Sequence, residues 1–133
     1  MEIGTGFFTF FILLLLAFCW FGLHYLTNKP LDNPDGYAKV TGNCGDTMEI
    51  ALLFKDGKVS ASSAWTNGCS VSKTCVEAAA MLARNRDTGQ LQKITMMTIM
   101  EQIGQLPDTH LHCAQLAETT LLRATKDYLA KGE

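Results

Sequence analysis

The fold is decided by the stretch TMEIALLFKDGKVSASSAW, residues 47–65. Hydrophobic residues take every second position before its turn, and a period of two continues after it: Met48, Ile50, Leu52, Phe54, then Val59, Ala61, Ser63, Trp65. This period is typical of β-strands, whose successive side chains point to opposite faces. Asp56-Gly57 favours a tight turn because both residues tolerate positive φ. The stretch therefore predicts an antiparallel hairpin.

Downstream of the hairpin, the hydrophobic residues recur with the period of a helix. Steps of four, three and four separate Val71, Cys75, Ala78 and Leu82, which predicts an amphipathic helix over residues 69–84. One or two shorter helices are predicted over residues 88–104, and a last helix over residues 112–130. Because the strands come first and the helices follow, we predict an α+β fold with a small antiparallel sheet covered by helices.

Upstream of the hairpin, the chain has a long apolar stretch. Residues 7–26 read FFTFFILLLLAFCWFGLHYL and contain no Lys, Arg, Asp or Glu. In a helix this length matches the hydrocarbon core of a bilayer, which is about 30 Å thick. A cleaved signal peptide would have a basic start and small residues at its exit, whereas here the exit is bulky. We predict an uncleaved transmembrane helix.

These patterns divide the chain into a membrane anchor at residues 1–28, a linker at residues 29–42 and a folded domain at residues 43–133. The linker contains prolines, Gly36 and several Asx residues, which favour turns. Lys29 and Lys39 follow the apolar span, and no Lys or Arg precedes it. The positive-inside rule then predicts a single-pass protein of the bacterial inner membrane whose domain faces the cytoplasm.

Charge and cysteine content narrow the class of protein. The formal net charge is -2 and no Lys/Arg cluster is present, which argues against nucleic-acid binding. The predicted domain contains Cys44, Cys69, Cys75 and Cys113, too few for a disulfide scaffold, and a reducing compartment fits them better. Cys19 lies within the apolar span, where we interpret it as a small hydrophobic residue.

Three of these cysteines stand at the ends of predicted elements. Cys44 precedes the first strand, Cys69 precedes a helix, and Cys113 lies in the first turn of the last helix. The positive end of a helix dipole lowers the pKa of a thiol, so Cys69 and Cys113 should both favour the thiolate. If the three thiolates meet, they would select zinc, copper(I) or an iron-sulfur cluster.

The fourth ligand has two candidates. Asp46 is two residues from Cys44 and would share its side of an extended strand, and His112 is next to Cys113. We expect Cys75 to lie in the core on its hydrophobic stripe, with a spare ligand or a resolving thiol for Cys69 as the alternative. A bland alternative remains, in which the cysteines are unrelated structural residues.

Three motifs in order resemble the iron-sulfur cluster assembly scaffold family, of the IscU and NifU N-terminal type. They are Cys44-Gly-Asp before a hairpin, Gly68-Cys69 before a helix, and LPDTHLHCAQLAE at residues 106–118. The resemblance covers about residues 33–128 and implies a three-stranded antiparallel sheet packed by helices. It also implies that Cys44, Cys69 and Cys113 build the cluster, that Asp46 keeps it labile, and that His112 is an alternative fourth ligand.

The resemblance implies a carrier rather than an enzyme. Members accept persulfide sulfur from a cysteine desulfurase, combine it with iron, and pass a [2Fe-2S] cluster to recipient apo-proteins; a [4Fe-4S] cluster and a homodimer are left open. Most members carry Leu-Pro-Pro-Val-Lys, which an Hsp70-type chaperone reads, whereas this chain has Leu106-Pro-Asp-Thr-His110. That departure weakens the expectation that a chaperone binds. The apolar span replaces or shortens the N-terminal helix that contacts the desulfurase in the family, which weakens the expectation that a desulfurase docks.

Two other classes of function are kept as alternatives. In the first, the same ligands hold Zn²⁺ in a closed structural site of an interaction or regulatory module derived from the scaffold fold. In the second, the protein is a membrane-bound thiol or persulfide redox protein that uses Cys69 and Cys75. Its rank is lowest because the chain has no Cys-x-x-Cys motif.

Overall fold

The computed structural model describes residues 2–27 and 31–132, and the chain divides into two units after residue 30. The first unit is a single helix, α1, Glu2–Thr27. Its segment Ile3–Leu26 is long and apolar enough to cross a membrane, a property that a signal sequence shares. The predicted helix over residues 7–26 is confirmed; Lys29, used for the predicted orientation, lies outside the described residues.

The second unit contains one antiparallel sheet with the strand order β1-β2-β3. Its strands are β1 Gly36–Thr41, β2 Thr47–Lys55 and β3 Lys58–Thr66. Asp56 and Gly57 join β2 to β3 with φ values of 55° and 78°, the left-handed conformation that the hairpin prediction required. The α+β class and the three-stranded sheet are both confirmed.

The prediction of a linker is wrong for Gly36–Thr41, which form β1. The strand pairs with β2 along its whole length, and its buried and exposed residues alternate. Its buried positions are filled by Gly36, Ala38 and Val40, which are too small to stand out beside the turn residues that precede them. A short strand with small inward residues carries little periodic signal in the sequence.

The hydrophobic alternation predicted for β3 changes face within the strand. Leu53 pairs with Ala61 but Phe54 pairs with Val59, so Ser60 is an extra residue and forms a β-bulge. One extra residue moves every later side chain to the opposite face of the sheet. Val59 is therefore buried, whereas Trp65, predicted to share its face, is 51% exposed.

The predicted helices are confirmed within one or two residues. α2 is Ser70–Ala83, α3 is Thr88–Leu91, α4 is Met96–Ile103, and α5 is Leu111–Lys131 after a short 3₁₀ turn at Asp108–His110. Capping boxes begin α3 at Asp87 and α4 at Thr95. Glu118 in α5 accepts a hydrogen bond from the backbone N–H of Met96 at 2.8 Å, which ties the start of α4 to α5.

The core lies between one face of the sheet and the helices α2 and α5. The helices supply mainly small side chains to it, and the strands supply larger ones: Ala79, Ala83, Ala114 and Ala117, then Met48, Ile50 and Leu52. Cys75 is fully buried in this core, as the sequence predicts. Its burial raises the pKa of the thiol to about 11, and the nearby Cys113 and Cys69 add to the shift.

The C-terminal half of α5 packs closely against β1. A Cβ atom on Gly36 would lie 2.5 Å from the carbonyl oxygen of Ala124 and 3.0 Å from the Cβ of Tyr128. The Tyr128 ring stacks on Phe54 with a centroid distance of 3.6 Å, and Asp127 accepts a hydrogen bond from the N–H of Tyr37. This packing fixes α5, and therefore its first turn, relative to the sheet.

We predict that Gly36→Ala lowers the free energy of unfolding by about 1–3 kcal/mol, because the added methyl group overpacks the contact with α5. Thermal unfolding followed by circular dichroism measures the effect. Gly132→Ala is the matched control, since its added Cβ would meet nothing closer than 3.6 Å. Equal unfolding temperatures for Gly36→Ala and the unmodified chain would contradict this account of the packing.

Candidate metal centre

Asp46, Cys69 and Cys113 come together in the second unit, with ligand atoms that all lie within 4.8 Å of one another. We call these three residues the inner ligand group. Asp46 precedes β2, Cys69 is the N-cap of α2, and Cys113 lies in the first turn of α5. Two sulfurs and one carboxylate oxygen form a donor set suited to zinc or iron.

The turn at residues 42–46 separates Cys44 from Asp46. The N–H of Gly42 donates to the carbonyl of Asp46 at 2.9 Å, and the N–H of Gly45 donates to the carbonyl of Gly42 at 3.0 Å. Gly45 has φ = 90°, a conformation that side chains other than glycine rarely adopt. Cys44 and Asp46 therefore do not share one side of an extended strand as predicted; Asp46 joins the inner ligand group and Cys44 is exposed.

The turn before β2 is bound to the turn before α2 by hydrogen bonds at Thr47. The N–H of Thr47 donates to Oδ1 of Asn67 at 2.8 Å, and Thr66 donates its hydroxyl to the Thr47 carbonyl at 2.7 Å. The N–H of Gly68 in turn donates to the Thr66 hydroxyl oxygen at 3.1 Å. These bonds place Asp46 and Cys69 side by side.

Gly68 allows the two turns to approach this closely. A Cβ atom at this position would lie 2.6 Å from Oδ2 of Asp46 and 2.8 Å from Cβ of Ser72. Both distances are shorter than real Cβ atoms show, so a side chain at this position would clash. The clash explains why the Gly68-Cys69 motif has a glycine.

Ser72 lies at the centre of the inner ligand group, and sequence reasoning missed it. Its side chain is fully buried, and its hydroxyl donates to Oδ2 of Asp46 at 2.6 Å. The same oxygen lies 3.3 Å from Sγ of Cys113 and 3.7 Å from Sγ of Cys69. Its spacing of three residues from Cys69 puts both at one side of the first turn of α2, which is the signal that could have identified it.

The two thiols of the inner ligand group have opposite pKa shifts. The backbone N–H of Ser72, followed by its side chain, lowers the pKa of the Cys69 thiol below its ordinary value. Burial raises the pKa of the Cys113 thiol, although the Ser72 hydroxyl opposes that shift. The predicted direction therefore holds for Cys69, where Ser72 is the cause, and fails for Cys113, where burial outweighs the Ser72 hydroxyl.

Cys44 and His112, the other two predicted ligands, are outside the inner ligand group found among the described residues. Both are exposed and line a groove of about 570 Å³ beside α5. We call it the side groove; its wall also includes Asn43, Gln115, Thr119 and Arg123. The ligand roles of Cys44 and His112 stay predictions.

The amino-acid sequence matches a described family and several known proteins. Residues 30–133 match the family described as the NifU-like N-terminal domain. The iron-sulfur cluster assembly scaffold proteins IscU 1 and IscU 2 of Archaeoglobus fulgidus are each 33% identical over 104 residues, 77% of this chain and 67% of theirs. Iron sulfur cluster assembly protein 1, mitochondrial, of Eremothecium gossypii is 30% identical over 90 residues, 66% of this chain and 58% of its own.

One solved structure has the same fold. The crystal structure of the N-terminal part of a nitrogen-fixing NifU-like protein from Brucella abortus aligns with a TM-score of 0.60. The sequence identity is 17%, and the alignment covers 76% of this chain and 83% of that one. The likeness shows that the sheet and helices described above are arranged as in that protein.

The opposite pKa shifts predict different rates of alkylation. Because a lowered pKa gives more thiolate at a given pH, Cys69 should react with iodoacetamide at a lower pH than Cys113 does. Mass spectrometry of tryptic peptides after timed labelling from pH 6 to pH 9 measures each cysteine separately. Buried Cys75 should stay unlabelled until the chain is denatured, and reaction of Cys113 at a lower pH than Cys69 would refute the assignment.

Proposed function

The chain belongs to the family of NifU-like N-terminal domains, and we propose that it is a scaffold on which an iron-sulfur cluster is assembled and from which it passes to recipient proteins. The observation that supports this proposal is the convergence of Cys69, Cys113 and Asp46 from three separate elements. Iron and sulfur are the cargo of such a protein.

The proposed cluster is [2Fe-2S], held by Cys44, Cys69 and Cys113 with Asp46 or His112 as the fourth ligand. Cys44 is exposed at the tip of a turn next to the inner ligand group, so it can supply a third thiolate. Ligation by an oxygen or nitrogen atom holds iron less firmly than a fourth buried thiolate would. A cluster bound in this way can be released to an acceptor.

The proposed sulfur donor is a cysteine desulfurase that carries a persulfide. Cys69 suits the acceptor role because it is exposed and because the pKa of its thiol is lowered. Its thiolate would attack the terminal sulfur of the donor persulfide, forming a new S–S bond while the donor cysteine leaves as a thiolate. No net oxidation or reduction is needed for this transfer.

The zinc module is the second candidate, and the donor set of the inner ligand group favours it as well as iron. The redox alternative that pairs Cys69 with Cys75 is less well supported. Cys75 is fully buried, and its pKa of about 11 leaves little thiolate at neutral pH. A resolving thiol needs both access and thiolate character.

We also propose that α1 is a single-pass membrane anchor and that the domain lies on the cytoplasmic side. Its support is the length and composition of Ile3–Leu26, which the described residues carry in one uninterrupted helix. A cytoplasmic domain would stand in the reducing compartment that free thiols need. Membrane tethering would place the assembled cluster near recipients at the same membrane.

We predict that the full-length chain, purified in mild detergent and reconstituted anaerobically with iron and sulfide, acquires a coloured cluster. Cys44→Ala, Cys69→Ala and Cys113→Ala should each lose most of its visible absorbance, because each removes a proposed ligand. Cys75→Ala is the matched control and should retain the cluster, since Cys75 is a core residue.

Absorption and circular dichroism in the visible range, with iron and sulfide analysis, distinguish the outcomes. A chain that stays colourless while binding stoichiometric zinc would support the zinc module instead. Loss of the cluster in Cys75→Ala with retention in Cys44→Ala would overturn the proposed ligand set.

A membrane test addresses the anchor separately. The full-length chain should remain with bacterial membranes after carbonate extraction, and a variant that lacks residues 1–30 should not. In intact spheroplasts a membrane-impermeant maleimide should leave the exposed Cys44 and Cys69 unlabelled, and lysis should expose both. Labelling before lysis would contradict the cytoplasmic orientation predicted by the positive-inside rule.

A further inference from the structure

Ser72, in α2, uses its hydroxyl group differently from the threonines of α2 and α5. Hydroxyl residues within helices commonly donate to the carbonyl four residues earlier. Four threonines of α2 and α5 do so here, at 2.7–3.0 Å: Thr74, Thr119, Thr120 and Thr125. Ser72 donates instead to Asp46, a residue 26 positions away, at 2.6 Å. Its hydrogen bond therefore serves the inner ligand group rather than the helix.

The direction of this hydrogen bond follows from the groups involved. The hydroxyl of Ser72 carries the proton and donates it, and the carboxylate oxygen Oδ2 of Asp46 accepts. The serine oxygen can then accept from the thiol of Cys113 at 3.3 Å, or from that of Cys69 at 3.7 Å. Because Ser72 is fully buried, water does not take the place of these partners. One hydroxyl thus contacts all three members of the inner ligand group.

The backbone supports the same arrangement from the other side. The Cα of Gly68 lies against both the Asp46 carboxylate and the Cβ of Ser72, where a methyl group would not fit. The carboxylate is therefore held between a glycine and a hydroxyl. The side chain of Asp46 would otherwise be free to rotate, since no other described side chain is found hydrogen-bonded to it.

We propose that Ser72 is a positioning residue that aims the carboxylate of Asp46 at the thiols of Cys69 and Cys113. The turn at residues 42–46 places Asp46, and not Cys44, in the inner ligand group. The proposal deepens the proposed function and rests on it for the identity of the cargo, but the geometry applies to any divalent ion. Residues that orient a metal ligand typically contribute 10- to 100-fold to affinity.

Titration with Co²⁺ tests this role without building a cluster. The full-length chain in mild detergent is titrated anaerobically with reductant present, and thiolate-to-cobalt absorption reports binding. Ser72→Ala should bind Co²⁺ about tenfold more weakly, the lower end of the effect of orienting residues. Ser72→Thr keeps the hydroxyl and should recover most of the loss. Ser70→Ala, an exposed serine of the same helix turn, is the matched control and should bind normally.

A double-mutant cycle separates positioning from a merely structural role. In an Asp46→Ala background, Ser72→Ala should change the Co²⁺ affinity by less than about twofold, because no carboxylate is left to aim. Thermal unfolding of every variant checks that the fold is retained. The proposal is overturned if Ser72→Ala binds Co²⁺ as tightly as the unmodified chain, if the tenfold loss persists in the Asp46→Ala background, or if the unmodified chain binds no Co²⁺.

The Co²⁺ titration and the cluster reconstitution can fail separately, so they test the positioning role and the scaffold function independently. A chain that shows the Co²⁺ effect but acquires no cluster with iron and sulfide supports the positioning role and counts against the scaffold function. A chain that acquires the cluster but lacks the Co²⁺ effect counts against the positioning role alone.

Discussion

The candidate site depends on the hydrogen bonds that bind the turn before β2 to the turn before α2. Thr47 is the shared residue: its N–H donates to the side chain of Asn67 in the turn before α2, and its carbonyl accepts from the hydroxyl of Thr66 at the end of β3. Each turn alone is a short surface segment with glycines and few buried side chains, which would leave it mobile. Joined, they hold Asp46 against Cys69 at a distance that an incoming ion can bridge.

The third member of the site depends on helix packing rather than on turns. Cys113 is carried by α5, and α5 is fixed by its close contact with β1 at Gly36 and by the small residues that it shares with α2. Alanine-rich surfaces let two helices approach closely, so the first turns of α2 and α5 can meet. The same close packing buries Ser72 and Cys113. Desolvation therefore raises the pKa of the Cys113 thiol, whereas the pKa of the exposed Cys69 thiol is lowered.

The sequence predicts those parts of the fold that have a long regular period. The hairpin at Asp56-Gly57 and the helices α2 and α5 follow from turn chemistry and hydrophobic spacing, and they are confirmed. β1 was missed because its inward residues are small, and the bulge at Ser60 was missed because one extra residue leaves no mark on composition. Within the site, motifs identified the cysteines, but the role of Ser72 depends on contacts across 26 residues, which local spacing does not reveal.

One side of the candidate site is buried and the other side is exposed. Cys113 and Ser72 are buried and fixed by the helices, whereas Cys69 and Cys44 are exposed. A cargo bound here would have one rigid side, which orients it, and one open side, which a donor or acceptor thiol can reach. Thiol exchange needs access to the attacked atom, so transfer of such a cargo would proceed from the open side. A scaffold built from four buried thiolates would gain stability and lose that route, because every ligand exchange would require opening the core.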